Sequence, residues 1–155
     1  MRHPRPAALL ARYTSAVADL KRRGDLAELR VAADVLARGH RVAIPFGEDC
    51  PYDLVVDRAG RLERVQVKHT RSDGSVVVVR CRTQSLTNGR VRATTKYTAA
   101  SIDWIAVYDA TTDRCFYVPA AELGERGRAE LRLRIAPARN GQRSRVRLAA
   151  DYLFF

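Results

Sequence analysis

The segment from residue 52 to residue 68 places the tightest limit on the fold. Tyr52-Asp53-Leu54-Val55-Val56-Asp57 and Leu62-Glu63-Arg64-Val65-Gln66-Val67-Lys68 flank the short sequence Arg58-Ala59-Gly60-Arg61. Two such runs around a glycine turn predict the adjacent strands of a β-hairpin. The first run is apolar at both alternating positions, which predicts a strand covered on both faces.

The rest of the chain supplies the covering layers. Residues 7–23 predict a helix that ends before Gly24, and residues 25–38 predict a second one, opened by an Asp25 cap and closed at Gly39. Further extended runs fall at 42–46 and 75–82, and strands are predicted at 104–108, at 115–118 just before Pro119, and at 131–135. Short helices are predicted at 98–102 and 120–123, and a terminal helix at 145–152. This order is mixed α/β. A length of 155 residues suits one hydrophobic core, and no repeat or linker interrupts it. The expected organisation is one domain over 1–155, with a basic helical extension at 1–23, a core at 24–123 and a basic C-terminal segment at 124–155.

Charge narrows the function. The formal net charge is +11, which predicts a polyanionic partner, with nucleic acid the leading candidate. Arginine supplies 25 of the 28 basic residues, a bias that genome composition can also produce. The distribution is more telling. Residues 1–23 carry +5, residues 71–120 carry +3 and residues 121–155 carry +4, whereas residues 24–70 carry −1 and hold eight acids. An acid-rich pocket in a basic surround suits a cation-dependent enzyme acting on a polyanion, and solvated surface acids account for part of the same pattern. The chain has neither a signal-peptide core nor an apolar run of the ~20 residues that a membrane helix needs, so a cytoplasmic location without membrane contact is expected. Cys50, Cys81 and Cys115 are scattered and odd in number, which fits reduced, buried thiols better than disulfides or a zinc site.

Several polar residues stand out against this apolar framework. At 100° per residue, Leu26, Leu29, Ala32, Ala33, Val35 and Leu36 form one apolar arc, and Glu28 falls inside it. A carboxylate there needs a partner or a cation. A capping box, with Glu28 three residues after Asp25, explains it equally well. Asp53 interrupts a doubly buried strand. Gln66 and Lys68 share one strand face, with Val65 and Val67 on the other toward the core and Glu63 unable to join them. Lys68 is one of only three lysines, which suggests a need for a compact ammonium, although an edge strand with a polar outer face explains the pair too. His3, His40 and His69 lack metal-ligand spacing. His69 beside Lys68 and the Glu48-Asp49 pair are weaker candidates, for a phosphate and for a second cation respectively, and both also read as solvated surface. No nucleophile triad or glycine-rich phosphate loop is present.

Together these positions form a pattern. Asp53 stands thirteen residues before Gln66-Val67-Lys68 on adjacent strands, with Glu28 on a preceding helix. This resembles the PD-(D/E)XK nuclease superfamily, and more closely the branch of group I intron-associated homing endonucleases. The likeness extends over roughly residues 21–152, through Gly24-Asp25-Leu26-Ala27-Glu28, Pro45-Phe46-Gly47, Tyr52-Asp53-Leu54-Val55, Arg64-Val65-Gln66-Val67-Lys68, Ala106-Val107-Tyr108 and Tyr117-Val118-Pro119.

The resemblance implies an αβββαβ core, a restriction endonuclease-like mixed sheet flanked by helices, and Mg²⁺-dependent hydrolysis of DNA phosphodiesters, with Mn²⁺ able to substitute. It places Asp53 as the first aspartate and metal ligand, Gln66 at the (D/E) position, Lys68 as the lysine and Glu28 as the helix-borne acid, with the Val67 carbonyl a further ligand. Two positions depart from the pattern. Tyr52 separates Pro51 from Asp53, and Gln66 is a neutral amide, which makes Glu28 more necessary. Arg71, Arg80, Arg82, Arg90, Arg92, Lys96 and Tyr97 are the expected DNA contacts, with Arg80/Arg82 and Arg90/Arg92 each sharing a strand face. Arg143, Arg145 and Arg147 suit either DNA or solubility. Cutting two strands with one small site per chain favours a symmetric homo-oligomer. The competing expectations are a Holliday junction resolvase-like, repair or restriction enzyme of the same fold, a DNA-binding module that has lost turnover, and an interaction protein whose charge is incidental.

Overall fold

The computed structural model describes residues 6–155 apart from 48, 88, 89, 138–140, 142, 143 and 145, with the backbone alone for 6–13, 86 and 87. The Glu48 half of the acidic pair and the tail residues Arg143 and Arg145 lie outside the described residues.

A 32-residue helix, α1 (Pro6–Ala37), opens the chain. The predicted break at Gly24 does not occur. A mid-helix glycine costs about 1 kcal/mol relative to alanine, and packing of the following turns against a sheet outweighs that cost. With no break there is no Asp25 cap, and the capping-box account of Glu28 falls with it.

The strands are β1 (Arg41–Ala43), β2 (Leu54–Arg58), β3 (Arg61–Thr70), β4 (Val76–Arg80), β5 (Arg82–Thr87), β6 (Arg90–Lys96), β7 (Trp104–Asp109), β8 (Arg114–Pro119), β9 (Glu130–Arg134) and β10 (Arg147–Leu148). Five of them form a mixed sheet in the order β1-β2-β3-β7-β8. The predicted hairpin is β2–β3, paired antiparallel from Leu54↔Val65 to Arg58↔Arg61. Ala59 (φ 55°) and Gly60 (φ 86°) are both left-handed at its turn, the combination that a two-residue connection with primed geometry requires. The Gly60 N–H is caught by Asp57 at 2.8 Å. Beside β3 runs β7 in parallel, followed by antiparallel β8.

Each face of this sheet has its own cover. Ala27, Val31 and Val35 of α1 pack with Leu54, Val56, Val65, Val67, Ala106, Tyr108 and Tyr117. Full burial of Val31 and Val35 contributes on the order of 2 kcal/mol each. On the opposite face, Ile105, Val107, Phe116 and Val118 meet Val77, Val79, Leu131 and Leu133 of a second sheet, ordered β10-β9-β4. The remaining two strands, β5 and β6, form a separate two-stranded ribbon.

Several expectations are corrected. Within the predicted apolar arc, Leu26, Leu29, Ala33 and Leu36 face solvent, because the small and β-branched side chains of α1 seat closer to the sheet. Residues 98–102 form a turn, closed by the Ile102 N–H on the Thr98 carbonyl at 3.1 Å. Residues 146–152 do not form the helix predicted over 145–152. Arg147–Leu148 pairs in parallel with β9 and a short 3₁₀ turn, Ala149–Tyr152, follows. Arg80 and Arg82 do not form one row, since β4 and β5 belong to different sheets with the buried Cys81 between them.

Candidate active site

The site grows from the β2–β3 register. Leu54 pairs with Val65, so Asp53, one residue before β2, continues the ladder opposite Gln66. Its own N–H donates to the Val65 carbonyl at 2.9 Å. The Asp53 Oδ2 accepts the Val67 N–H at 2.8 Å and a short hydrogen bond from the Gln66 Nε2. That nitrogen also donates to the Val67 carbonyl at 3.1 Å. Two residues on, Lys68 lies on the same strand face and donates from Nζ to the Tyr97 hydroxyl at 3.2 Å.

Glu28 approaches from α1. It is half-buried and makes no hydrogen bond or ion pair among the described residues. Burial raises its carboxyl pKa, and the nearby negative charges of Asp53 and Asp25 raise it further. Burial also raises the Asp53 carboxyl, against the opposing pull of the Val67 N–H, the Lys68 ammonium and the Gln66 amide. Two neighbouring carboxyl groups are thus held above their usual range with too few positive partners, a recognised signature of a functional site.

The donor set fits a hard divalent cation. Among the described residues, no cluster of three or more His, Cys, Asp or Glu side chains is placed to hold a metal. A cation here would be held by two carboxylates, Asp53 and Glu28, with the Val67 carbonyl and the Gln66 amide. All of these are oxygen donors of the kind Mg²⁺ accepts while keeping several waters. The Asp53 Oδ2 and the Val67 carbonyl already converge on one donor, the Gln66 Nε2, so their oxygens are aimed at a common point. For Gln66 to serve as a ligand its amide must turn and present Oε1 instead.

Other candidates separate from this cluster. His69 lies on the opposite strand face, edge-on to Tyr108 at 6.0 Å, with its pKa lowered by burial and by Arg23 and Arg71. Glu63 is buried on that side too and pairs with Arg58 (2.8 Å) and Arg61 (3.3 Å), leaving Oε2 without a hydrogen bond. Asp49 is exposed. Arg71, Arg80, Arg82, Arg90, Arg92 and Lys96 are all exposed. Tyr97 is only 5% exposed, so its place is beneath Lys68 rather than on an open surface. Arg147 is committed to Glu122 at 2.8 Å.

Sequence reading missed the role of Asp109. Fully buried, it accepts hydrogen bonds from the Ser72 N–H and hydroxyl, both at 2.7 Å, and from the Thr112 hydroxyl at 2.8 Å. It thereby fixes the chain just beyond β3. An acid at the end of an otherwise apolar strand, followed by Ala-Thr-Thr, was the available signal.

Such an arrangement, an aspartate before one strand facing a Gln-Val-Lys segment on the next, belongs to a class of hydrolases. The family of PD-(D/E)XK endonucleases matches residues 18–155, and the chain belongs to it. By that membership it is a DNA-cleaving nuclease, from a family whose members generally use divalent metal ions. Among solved structures, the chain is similar to a bacterial homing endonuclease, I-Ssp6803I, with a TM-score of 0.64 and 24% identity over 85% of this chain and 86% of that one. That likeness supports the fold. No curated protein matches the chain.

Proposed function

We propose that this protein is a Mg²⁺-dependent endonuclease that hydrolyses DNA phosphodiester bonds, with Mn²⁺ able to substitute, acting as one nuclease unit over 1–155 in the cytoplasm. The observation that carries the reading is the convergence of Asp53, Gln66 and Lys68 on one face with the unpartnered Glu28 beside them. Asp53, Glu28, the Gln66 amide oxygen and the Val67 carbonyl would hold the cation. When bound, it supplies an acidified water and neutralises charge developing on the phosphate.

The chain's own residues do the remaining work. Lys68, steadied by the Tyr97 hydroxyl, offers two further N–H donors to an attacking water or to a phosphate oxygen. Arg71, Arg80, Arg82, Arg90, Arg92 and Lys96 bind backbone phosphates and fix the register of the duplex. Two copies of the chain act together. Leu26, Leu29, Ala33 and Leu36 line the outer face of α1 at 3-4-3 spacing, the seam two identical helices can share, and the three leucines are 43%, 67% and 56% exposed.

Plasmid nicking and linearisation with Mg²⁺ and with EDTA, wild type against Asp53→Ala, tests this. Cutting that requires Mg²⁺ and is lost in the variant supports it. Mg²⁺ calorimetry covers an enzyme that needs a particular site: binding by wild type and none by Asp53→Ala supports the reading. If neither binds, it fails in favour of a DNA-binding module without turnover, the reading that the Gln66 amide nitrogen seated on Asp53 favours. Preference for branched over linear duplex would instead mark a junction resolvase.

A further inference from the structure

We propose that the β5–β6 ribbon enters the major groove of duplex DNA and that Gln84 on it is a specificity-determining residue. The inference rests on the nuclease reading and deepens it, since the reading by itself asks only for phosphate contacts.

The ribbon is built as a projection. Among the described residues, its strands pair only with each other. All side chains described between Arg82 and Lys96 are exposed. An isolated two-stranded hairpin is marginal in water, so this one depends on its base. There Cys81 and Tyr97 are both buried and joined by the Tyr97 N–H on the Cys81 carbonyl at 3.0 Å. The Cys81 N–H in turn donates to the Ala129 carbonyl at 3.0 Å. Gly127 closes the seat, because a Cβ at that position would lie 2.7 Å from the Lys96 Cβ and from the Tyr97 carbonyl.

Its two faces differ in kind. The register pairs Arg82 with Lys96, Thr83 with Thr95, Gln84 with Thr94 and Ser85 with Ala93. Up to the irregularity after Ser85, alternation gathers Arg82, Gln84, Thr94 and Lys96 on one face and leaves Thr83, Ser85, Ala93 and Thr95 on the other; beyond it Val91 pairs with Leu86 and Arg90 with Thr87, with Arg92 the extra residue of the bulge. In this regular part both charges, Arg82 and Lys96, are on the first face, and Arg90 and Arg92 add two more toward the tip. None of the four cations of the ribbon, Arg82, Arg90, Arg92 and Lys96, makes a hydrogen bond or ion pair among the described residues. A polyanion is the counterpart such a face lacks.

Shape and chemistry then select the groove. The major groove, about 12 Å wide, admits a two-stranded ribbon and presents a distinct hydrogen-bond pattern for every base pair. On the face it shares with Arg82 and Lys96, Gln84 carries a donor and an acceptor that together match the N6 and N7 edge of adenine. Its contact to the Thr94 hydroxyl, at 3.5 Å, is long enough to be exchanged readily for a base. Arg82 and Lys96, nearer the base of the ribbon, are placed for phosphates. The ribbon also connects to the chemistry, because Tyr97, the residue after β6, receives the hydrogen bond of Lys68.

The test is selection by binding from a randomised duplex library in EDTA, so that cleavage plays no part, using wild type, Gln84→Ala and an Arg82→Ala/Arg92→Ala double variant. Circular dichroism melts check that these exposed changes leave the fold intact. Wild type should enrich a motif containing an adenine, and Gln84→Ala should lose roughly tenfold discrimination at that position while total affinity stays nearly constant. Replacing that adenine by 7-deazaadenine should weaken wild type and leave Gln84→Ala unaffected. The double variant should bind all duplexes more weakly, with a shallower salt dependence. An identical motif from Gln84→Ala, indifference to 7-deazaadenine, or equal binding of all duplexes by wild type each overturns the proposal. So does a double variant that binds like wild type, which would turn the ribbon toward a protein partner. The nuclease reading is judged separately, by Asp53-dependent plasmid cutting, and survives any of these results.

Discussion

Lys68 and Tyr97 are joined twice: the ammonium donates to the phenol oxygen at 3.2 Å and lies 5.0 Å from the centre of the same ring. One residue belongs to the candidate catalytic strand and the other to the foot of the ribbon. The pair fixes a flexible four-carbon side chain on the strand face it shares with Gln66. Tyr97→Phe keeps the ring and removes the oxygen. Its single-turnover cleavage rate is expected to fall about fivefold, the equivalent of roughly 1 kcal/mol for one hydrogen bond. An unchanged rate would show that the hydroxyl does not position Lys68.

Gln66→Glu restores a carboxylate beside Asp53. Mg²⁺ affinity measured by calorimetry should increase by about tenfold or more, since a charged oxygen replaces a neutral one. In the metal-free protein the same change places two carboxylates together and removes the Gln66–Asp53 hydrogen bond, so the melting temperature should fall without Mg²⁺ and recover with it. Weaker Mg²⁺ binding by this variant would remove Gln66 from the ligand set.

Asp109 gives a pH signature. Burial alone would raise its pKa, but hydrogen bonds from Ser72, Thr112 and Thr111 hold it below the ordinary 3.8. An acid whose folded pKa is depressed stabilises the native state fully above its unfolded pKa and loses that contribution as pH falls through the folded one. Asp109→Asn should therefore cost about 2 kcal/mol at neutral pH. The gap to wild type should narrow as the pH is lowered below 3.8. Denaturant melts at several pH values read the difference, and a gap independent of pH would contradict the assignment.

Leu29→Asp tests the outer face of α1. Leu29 is 67% exposed, so a charge there should leave the fold and its melting temperature almost unchanged. Light scattering should show wild type as a dimer or higher assembly and the variant as a monomer. A wild-type monomer would exclude the leucine seam.

The hairpin at 52–68 could be read from the sequence because a period of two, a glycine turn and doubly apolar strands all point to one structure. Asp53, Gln66 and Lys68 followed from that register. The helix was harder. Gly24 carries a normal breaking signal, and only contact with the sheet carries α1 through it. Leu26, Leu29 and Leu36 were placed in the core because α1 has two apolar faces, and a helical projection cannot say which one meets Val65 and Val67. The ribbon was hidden for the opposite reason: its alternation is polar on both faces, so no hydrophobic period announces it. Asn88-Gly89, a strong two-residue turn signal, was its one local mark. Residues 147–148 became strand because β9 offers them a parallel partner far away in sequence.

The self-contained ribbon also bears on how such a chain can diverge. Beyond Cys81 and before Tyr97, none of its described side chains belongs to either hydrophobic cluster or hydrogen-bonds to Asp53, Gln66 or Lys68. Substitutions of the exposed Gln84 and Thr94 therefore leave the core packing and the Asp53–Gln66–Lys68 arrangement in place. On the proposed reading of the ribbon, target choice and bond breaking can drift independently, and a lineage can acquire new genomic addresses while inheriting one unaltered cutting centre.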